Sequence, residues 1–103
     1  MLAENSTVLT GTLCTSPRKK VSPAGIPHTY IVMDHRSQQV EAGFPRGIYC
    51  RMTVVISGKE NQITSNKLVK GSNIKARGYL VWHQGRNGQP KIVLHAHSIE
   101  LMN

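Results

Sequence analysis

Residues 48–57, "IYCRMTVVIS", alternate strictly: Ile48, Cys50, Met52, Val54 and Ile56 fall on one face, and Tyr49, Arg51, Thr53 and Val55 on the other. Two is the period of an extended chain, whose successive side chains leave opposite faces. The stretch from 73 to 83 repeats it, with Ile74, Ala76, Gly78, Leu80 and Trp82 opposed to Lys75, Arg77, Tyr79, Val81 and His83. Stretches at about 6–15, 28–36 and 91–101 are also β-like and bounded by Gly, Pro, Asn or Ser. No long amphipathic helix competes. "GKENQITSNKLVKGS" (58–72) has no sustained 3.6-residue apolar repeat and accommodates at best a short turn of helix.

The connections narrow the architecture. "WHQGRNGQPK" (82–91) has Asn87-Gly88, a preferred reversal, between two strand-like flanks, so the last two strands form a hairpin. "SPRKKVSPAGIPH" (16–28) is a loop or irregular hairpin tip presenting Arg18, Lys19 and Lys20, and "SQQVEAGFPRG" (37–47) is the next loop. Gly11 and Gly78, inside strand patterns, mark bulges or sharp bends. Five strands with long basic connections predict an all-β, five-stranded Greek-key barrel of the oligonucleotide-binding (OB) fold, spanning residues 1–103 as one domain. An SH3-like barrel is the architectural alternative.

Charge then bounds function. Thirteen Lys and Arg against five Asp and Glu leave a formal charge of +8 on 103 residues, which favours polyanionic partners, nucleic acid first. A membrane is excluded as the partner: no apolar run approaches the roughly 20 residues of a spanning helix, and no basic amphipathic helix is visible. The N-terminal "MLAENSTVLTG" lacks the pattern of a secretory signal, which implies a cytoplasmic protein. Cys14 and Cys50 form no C-x-x-C pair and are expected to be buried free thiols.

Single-strand binding without catalysis needs a cationic track for phosphates and aromatic faces for bases. The aromatics are Tyr30, Phe44, Tyr49, Tyr79 and Trp82. Tyr49 shares its face with Arg51 opposite the apolar row, making it the leading stacking candidate, and Phe44 joins it from an exposed loop. Trp82 has core parity, which favours packing or a subunit interface. Lys19, Lys20, Arg36, Arg46, Arg86 and Lys91 lie in segments able to converge, with little acid nearby, as a phosphate track. His95-Ala96-His97 gives two of the ligands a zinc site needs but no identifiable third, so no metal or other cofactor is expected. Asp34-His35 is an isolated pair with no nucleophile motif or paired carboxylates, so no enzyme is expected.

The motifs "KVSPAGIPH", "EAGF", "SGKENQ" and "KIVLHA" with "IEL" resemble the primosomal replication protein N (PriB) family, relatives of bacterial single-stranded DNA-binding protein, over nearly the whole chain. The resemblance implies a homodimer of OB barrels that binds single-stranded DNA, stabilises the PriA helicase on DNA and helps recruit DnaT. It implies a DNA face containing Lys20, Arg36, Phe44, Arg46, Tyr49, Arg86 and Lys91. Tyr49 and Gln84 depart from the tryptophan and lysine of the family pattern. The chain stops at "IELMN" where a single-stranded DNA-binding protein proper continues into an acidic recruiting tail, so partners are expected to read the barrel surface. The alternative is a protein-interaction adaptor for the restart helicase with weak intrinsic DNA binding.

Overall fold

A computed structural model describes residues 3–85 and 87–102. Its strands are β1 (Thr7–Leu13), β2 (Arg18–Val21), β3 (Pro27–Glu41), β4 (Phe44–Ser57), β5 (Asn73–Gln84) and β6 (Pro90–Leu101). Between β4 and β5 lie a 3-10 turn (Lys59–Asn61) and α1 (Gln62–Ser65), the short turn of helix expected there. The strand order is β1-β5-β6-β4-β3-β2, and β1 pairs with both β5 and β3, so five strands close into a barrel and β2 continues along the outer edge of β3. All neighbours are antiparallel except β4 and β6, whose parallel pairing follows from the crossover through β5.

Closure requires β1 to leave one neighbour for another. It pairs with β5 from Thr7 to Thr12 and with β3 at Thr12 and Leu13, so the change of partner comes just after Gly11. A Cβ at Gly11 would lie 2.4 Å from the Asp34 carbonyl oxygen. Gly78 is more constrained still: the β5–β6 register slips between Arg77 and Gly78, and a Cβ at Gly78 would lie 1.9 Å from the His95 carbonyl oxygen. Both glycines are where two backbones meet, as their place inside strand patterns implies.

The alternating apolar rows turn inward. Leu13, Ile31, Met33, Val54, Ile56, Ile74, Ala76 and Leu94 form the buried core, with Leu68, just beyond α1, packed among them. Val55 and Val93, of the opposite parity, are also buried.

Four expectations change. Residues 37–47 are not a loop: β3 runs on to Glu41 and β4 begins at Phe44, joined by Ala42 and Gly43 at φ 52° and 82°, the doubly left-handed pair of a tight hairpin reversal. This ribbon leaves the barrel, since β6 pairs with β4 only from Thr53 to Ile56. The radius of gyration reflects it, at 14.7 Å against about 13 Å for a compact chain of this length. The second change is that residues 18–21 are a strand, β2. Third, Trp82 is 59% exposed and does not pack in the core, because β5 has passed the barrel end by that point. Finally, Cys14 and Cys50 are free but only half-buried, the Cys14 thiol donating to the Val32 carbonyl at 3.3 Å.

Gly78→Ala is expected to cost about 3 kcal/mol or more, since the methyl overlaps a backbone oxygen that the β5–β6 ladder holds in place. Urea denaturation measures it; a loss under about 1 kcal/mol would show that the ladder re-registers around the bulge.

Candidate nucleic-acid interface

With every inward position committed to the core, the outward positions form one continuous surface, and the hydrogen-bond register states what lies beside what. Arg18 of β2 is opposite Tyr30 of β3, Tyr30 opposite Val55 of β4, Val55 beside His95 of β6, and His95 opposite Tyr79 of β5. A second row runs Val32, Thr53, Val93, Val81, and further along the ribbon Asp34 faces Arg51 and Arg36 faces Tyr49. All three tyrosines of the chain therefore share one face that spans five strands. A groove of about 400 Å³ crosses it, lined by Arg18, Lys20, Tyr30, Thr53, Val55, His83, Gln84, Gly85, Lys91 and Val93.

The cations and rings are organised. The Arg36 guanidinium lies 4.5 Å from the centroid of the Tyr49 ring and the Lys20 ammonium 5.4 Å from that of Tyr30, both within cation–π range. The Tyr49 hydroxyl donates to Asp34 Oδ1 at 3.0 Å, and Arg51 Nε donates to the same oxygen at 2.8 Å. Asp34 thus orients both a ring and a guanidinium. The Arg51 hydrogen bond, with that of Tyr49 and the charges of Arg51 and Arg36, holds the Asp34 carboxyl below the usual aspartate range, and the same contact raises Arg51.

Of the residues the sequence nominates, Lys20, Arg36, Tyr49, Arg51 and Lys91 come together on this face. They project from strands, not loops. Phe44 and Arg46 do not join them: the unbroken β3–β4 register places both on the ribbon's opposite face, with Ile48 and Cys50. Phe44 is 73% exposed, as expected, but at a strand start. Arg46 is paired with Glu41 at 2.9 Å, so neither it nor Arg51 is without an acid, contrary to the expectation drawn from composition. Lys19 has the opposite parity to Lys20 and donates to Asn66 Oδ1. Arg86 lies outside the described residues.

Tyr30, Tyr79 and Arg18 are the members that sequence reasoning left unassigned. A signal existed for Tyr79, whose parity matches the polar row of its strand. For Arg18 and Tyr30 there was none, because their proximity depends on β2 being a strand.

Among the described residues, no cluster of three or more His, Cys, Asp or Glu is arranged to hold a metal, and no helix is long and apolar enough to cross a membrane. The surface offers stacking faces and positive charge, which serve binding.

A family model described as "Another single-strand binding protein family" matches residues 5–98. The replication restart protein PriB of Erwinia tasmaniensis is 50% identical over 102 residues, 99% of this chain and 97% of that protein. That of Yersinia pestis bv. Antiqua is 48% identical over 103 residues, 100% of this chain and 97% of that one. The fold is shared with solved structures of the PriB protein from Ralstonia solanacearum (TM-score 0.80, 20% identity, covering 98% of this chain and 100% of that chain). It is shared also with the Plasmodium falciparum SSB complex with ssDNA (TM-score 0.81, 15% identity, covering 100% and 98%).

The Asp34 carboxyl is expected to titrate below the ordinary value of about 3.9, and Arg51→Gln to return it toward that value, as read by NMR pH titration. Because the folded value is depressed, whatever stability the contact contributes is present above the unfolded pKa and lost as pH falls through the folded one. An unshifted Asp34 would show that the contact does not form in solution.

Proposed function

The chain belongs to the replication restart protein PriB family, within the single-strand binding proteins, and from that premise we propose that it binds single-stranded DNA as an accessory protein of replication restart. One observation carries the reading: three tyrosines and the cations Arg18, Lys20, Arg36 and Lys91 share one face across five strands. Every base has a π-face, so such a platform accepts any sequence, while the cations neutralise phosphates alongside.

Tyr49 is the principal stacking residue. Its hydroxyl is anchored by Asp34 and one ring face is covered by Arg36, which fixes the ring at little entropic cost and leaves the other face for a base. Lys20, Arg36 and Lys91 contact phosphates, with Arg51 contributing through its place beside Tyr49. Phe44 and Arg46 meet a strand only if it wraps the ribbon onto its other face, and Arg86, between β5 and β6 in the sequence, adds a further phosphate contact. The chain works without catalysis or cofactor, in the cytoplasm, as a homodimer with one such barrel per protomer. Its role is to stabilise the PriA helicase–DNA complex and help recruit DnaT.

The ion pairs favour a second reading. Arg46 and Arg51 each face a carboxylate, which lowers the charge available to DNA and suits an adaptor whose surface docks chiefly on the helicase. Anisotropy titration of labelled oligo(dT) and a matched duplex, with and without the restart helicase, separates the two. Single strands are expected to bind better than duplex at matched salt. With about four phosphates neutralised, log K against log salt should slope at roughly −3. Equal or tighter duplex binding would sink the stacking mechanism, and affinity appearing only with helicase present would establish the adaptor.

Tyr49→Ala is expected to lose about 1–3 kcal/mol of oligo(dT) affinity, one stacked base, with little change in the thermal midpoint because the ring is half exposed on a ribbon outside the core. Unfolding of this variant would assign Tyr49 to the fold instead.

A further inference from the structure

At the β5–β6 end of this face, the Nε2 atoms of His83 and His95 are 2.8 Å apart. Two imidazole nitrogens reach that distance only when one carries a proton and donates it to the other's lone pair. The rings lie nearly parallel, with centroids 5.1 Å apart, and His95 stacks in turn on Tyr79 at 5.7 Å. The three rings form a stepped array beside the groove.

The pair's proton capacity follows from its geometry. An added proton enters at Nδ1 of the donating ring and leaves the Nε2–Nε2 contact intact, now donated by an imidazolium and therefore stronger. A further proton would put two N–H groups face to face and break the contact. The pair thus accepts one positive charge and resists another.

Its surroundings decide when that charge is taken up. Lys91 of β6 is opposite His83 in the register, Arg18 and Lys20 of β2 line the same groove, and β3 contributes His28 and Tyr30. Tyr79 of β5 completes the set, and β4 presents only Thr53 and Val55. No carboxylate lines the groove among the described residues. Burial, then the neighbouring charges of His83 and His28, push the His95 imidazole below its ordinary value. Burial therefore disfavours charge on the His95 ring as long as no anion lies beside it.

An anion in the groove reverses this balance. We propose that His83 and His95 are a proton-linked contact for single-stranded nucleic acid, in which a phosphate laid along the groove draws one proton from solvent into the pair. The inference rests on the nucleic-acid reading given above and adds two residues and a proton to it. By linkage, what raises the pair's pKa on binding makes binding tighter as pH falls. The gain is complete below the free pair's pKa and is lost as pH rises through that of the complex.

The test is oligo(dT) affinity by anisotropy from pH 8 to pH 5.5 at fixed ionic strength, for the full chain and for His83→Gln, His95→Gln and the double variant. Glutamine keeps polar groups on the surface but does not titrate. Wild type should tighten by about three- to tenfold across the range, tenfold corresponding to a one-unit rise in pKa. The double variant should lose most of that change. Calorimetry at pH 6.5 in two buffers of different ionisation enthalpy should show proton uptake in wild type and less in the double variant. The His95 ring resonances should titrate at higher pH with oligo(dT) than without. Equal pH dependence and equal proton uptake in wild type and double variant would overturn the inference, assigning any linkage to the other histidines. Binding that is tight but independent of pH would overturn it alone, whereas no binding to oligo(dT) at any pH would remove the nucleic-acid reading itself.

Discussion

The fold depends on a change of partner within seven residues. Strand β1 follows β5 through Thr12 and also reaches β3 at Thr12 and Leu13, and only this double pairing closes the sheet. The constraint is steric as much as bonding, for Gly11 is where the β1 backbone comes closest to that of Asp34, and no side chain fits between them. Once the sheet is closed, every position on the five strands is either inside, among Leu13, Ile31, Met33, Val54, Ile74 and Leu94, or outside. A barrel this small leaves no room within for a ligand, so recognition has to use the outer face. The rows that link Arg18 to Tyr79 exist because closure and register together put five strands side by side with one parity outward.

The β3–β4 ribbon shows what happens when strands outrun the barrel. Beyond Thr53 it has no β6 neighbour, so both of its faces and one edge of β4 meet solvent. Pro45 and Arg46 at its far end are residues that discourage a second chain from adding to that edge. The ribbon also carries Tyr49 away from the core, and its ring is held by Asp34 and Arg36 on the ribbon itself. A rigid aromatic surface is obtained there without burying it.

What was legible in the sequence follows the same division. Alternation revealed the strands wherever one face was core, and Gly11 and Gly78 marked irregularities, which the structure places at the β1 change of partner and the β5–β6 register slip. Alternation is silent where that contrast disappears. Ser37 to Gly47 were assigned to a loop because both faces of a two-stranded ribbon are wet and neither row needs to be apolar. Trp82 has the core parity of β5, which suits packing or a subunit interface, but it lies past the end of the barrel, where the inward direction no longer points at the core. The acid partners of Arg46 and Arg51 were also hidden. Asp34 lies 17 residues from Arg51 in sequence, and only the register of β3 against β4 makes them neighbours.

That register also sets how charge is used. A formal charge of +8 suggests an undivided cationic surface, but Asp34 and Glu41 each neutralise part of it locally. Salt screens exposed charges over about 8 Å at physiological ionic strength, so the net charge guides a polyanion toward the protein while individual contacts depend on nearest neighbours. Arg51 is thus held by Asp34 beside Tyr49, its charge matched by an acid in direct contact. Lys20 and Lys91 sit on opposite sides of the groove, neither in an ion pair among the described residues. Between them lie Tyr30, Val55 and Val93, none of which carries a charge. Placing the carboxylate beside Tyr49 and keeping it out of the groove lets one acid orient the aromatic ring while the groove lining keeps only cations among its charged groups.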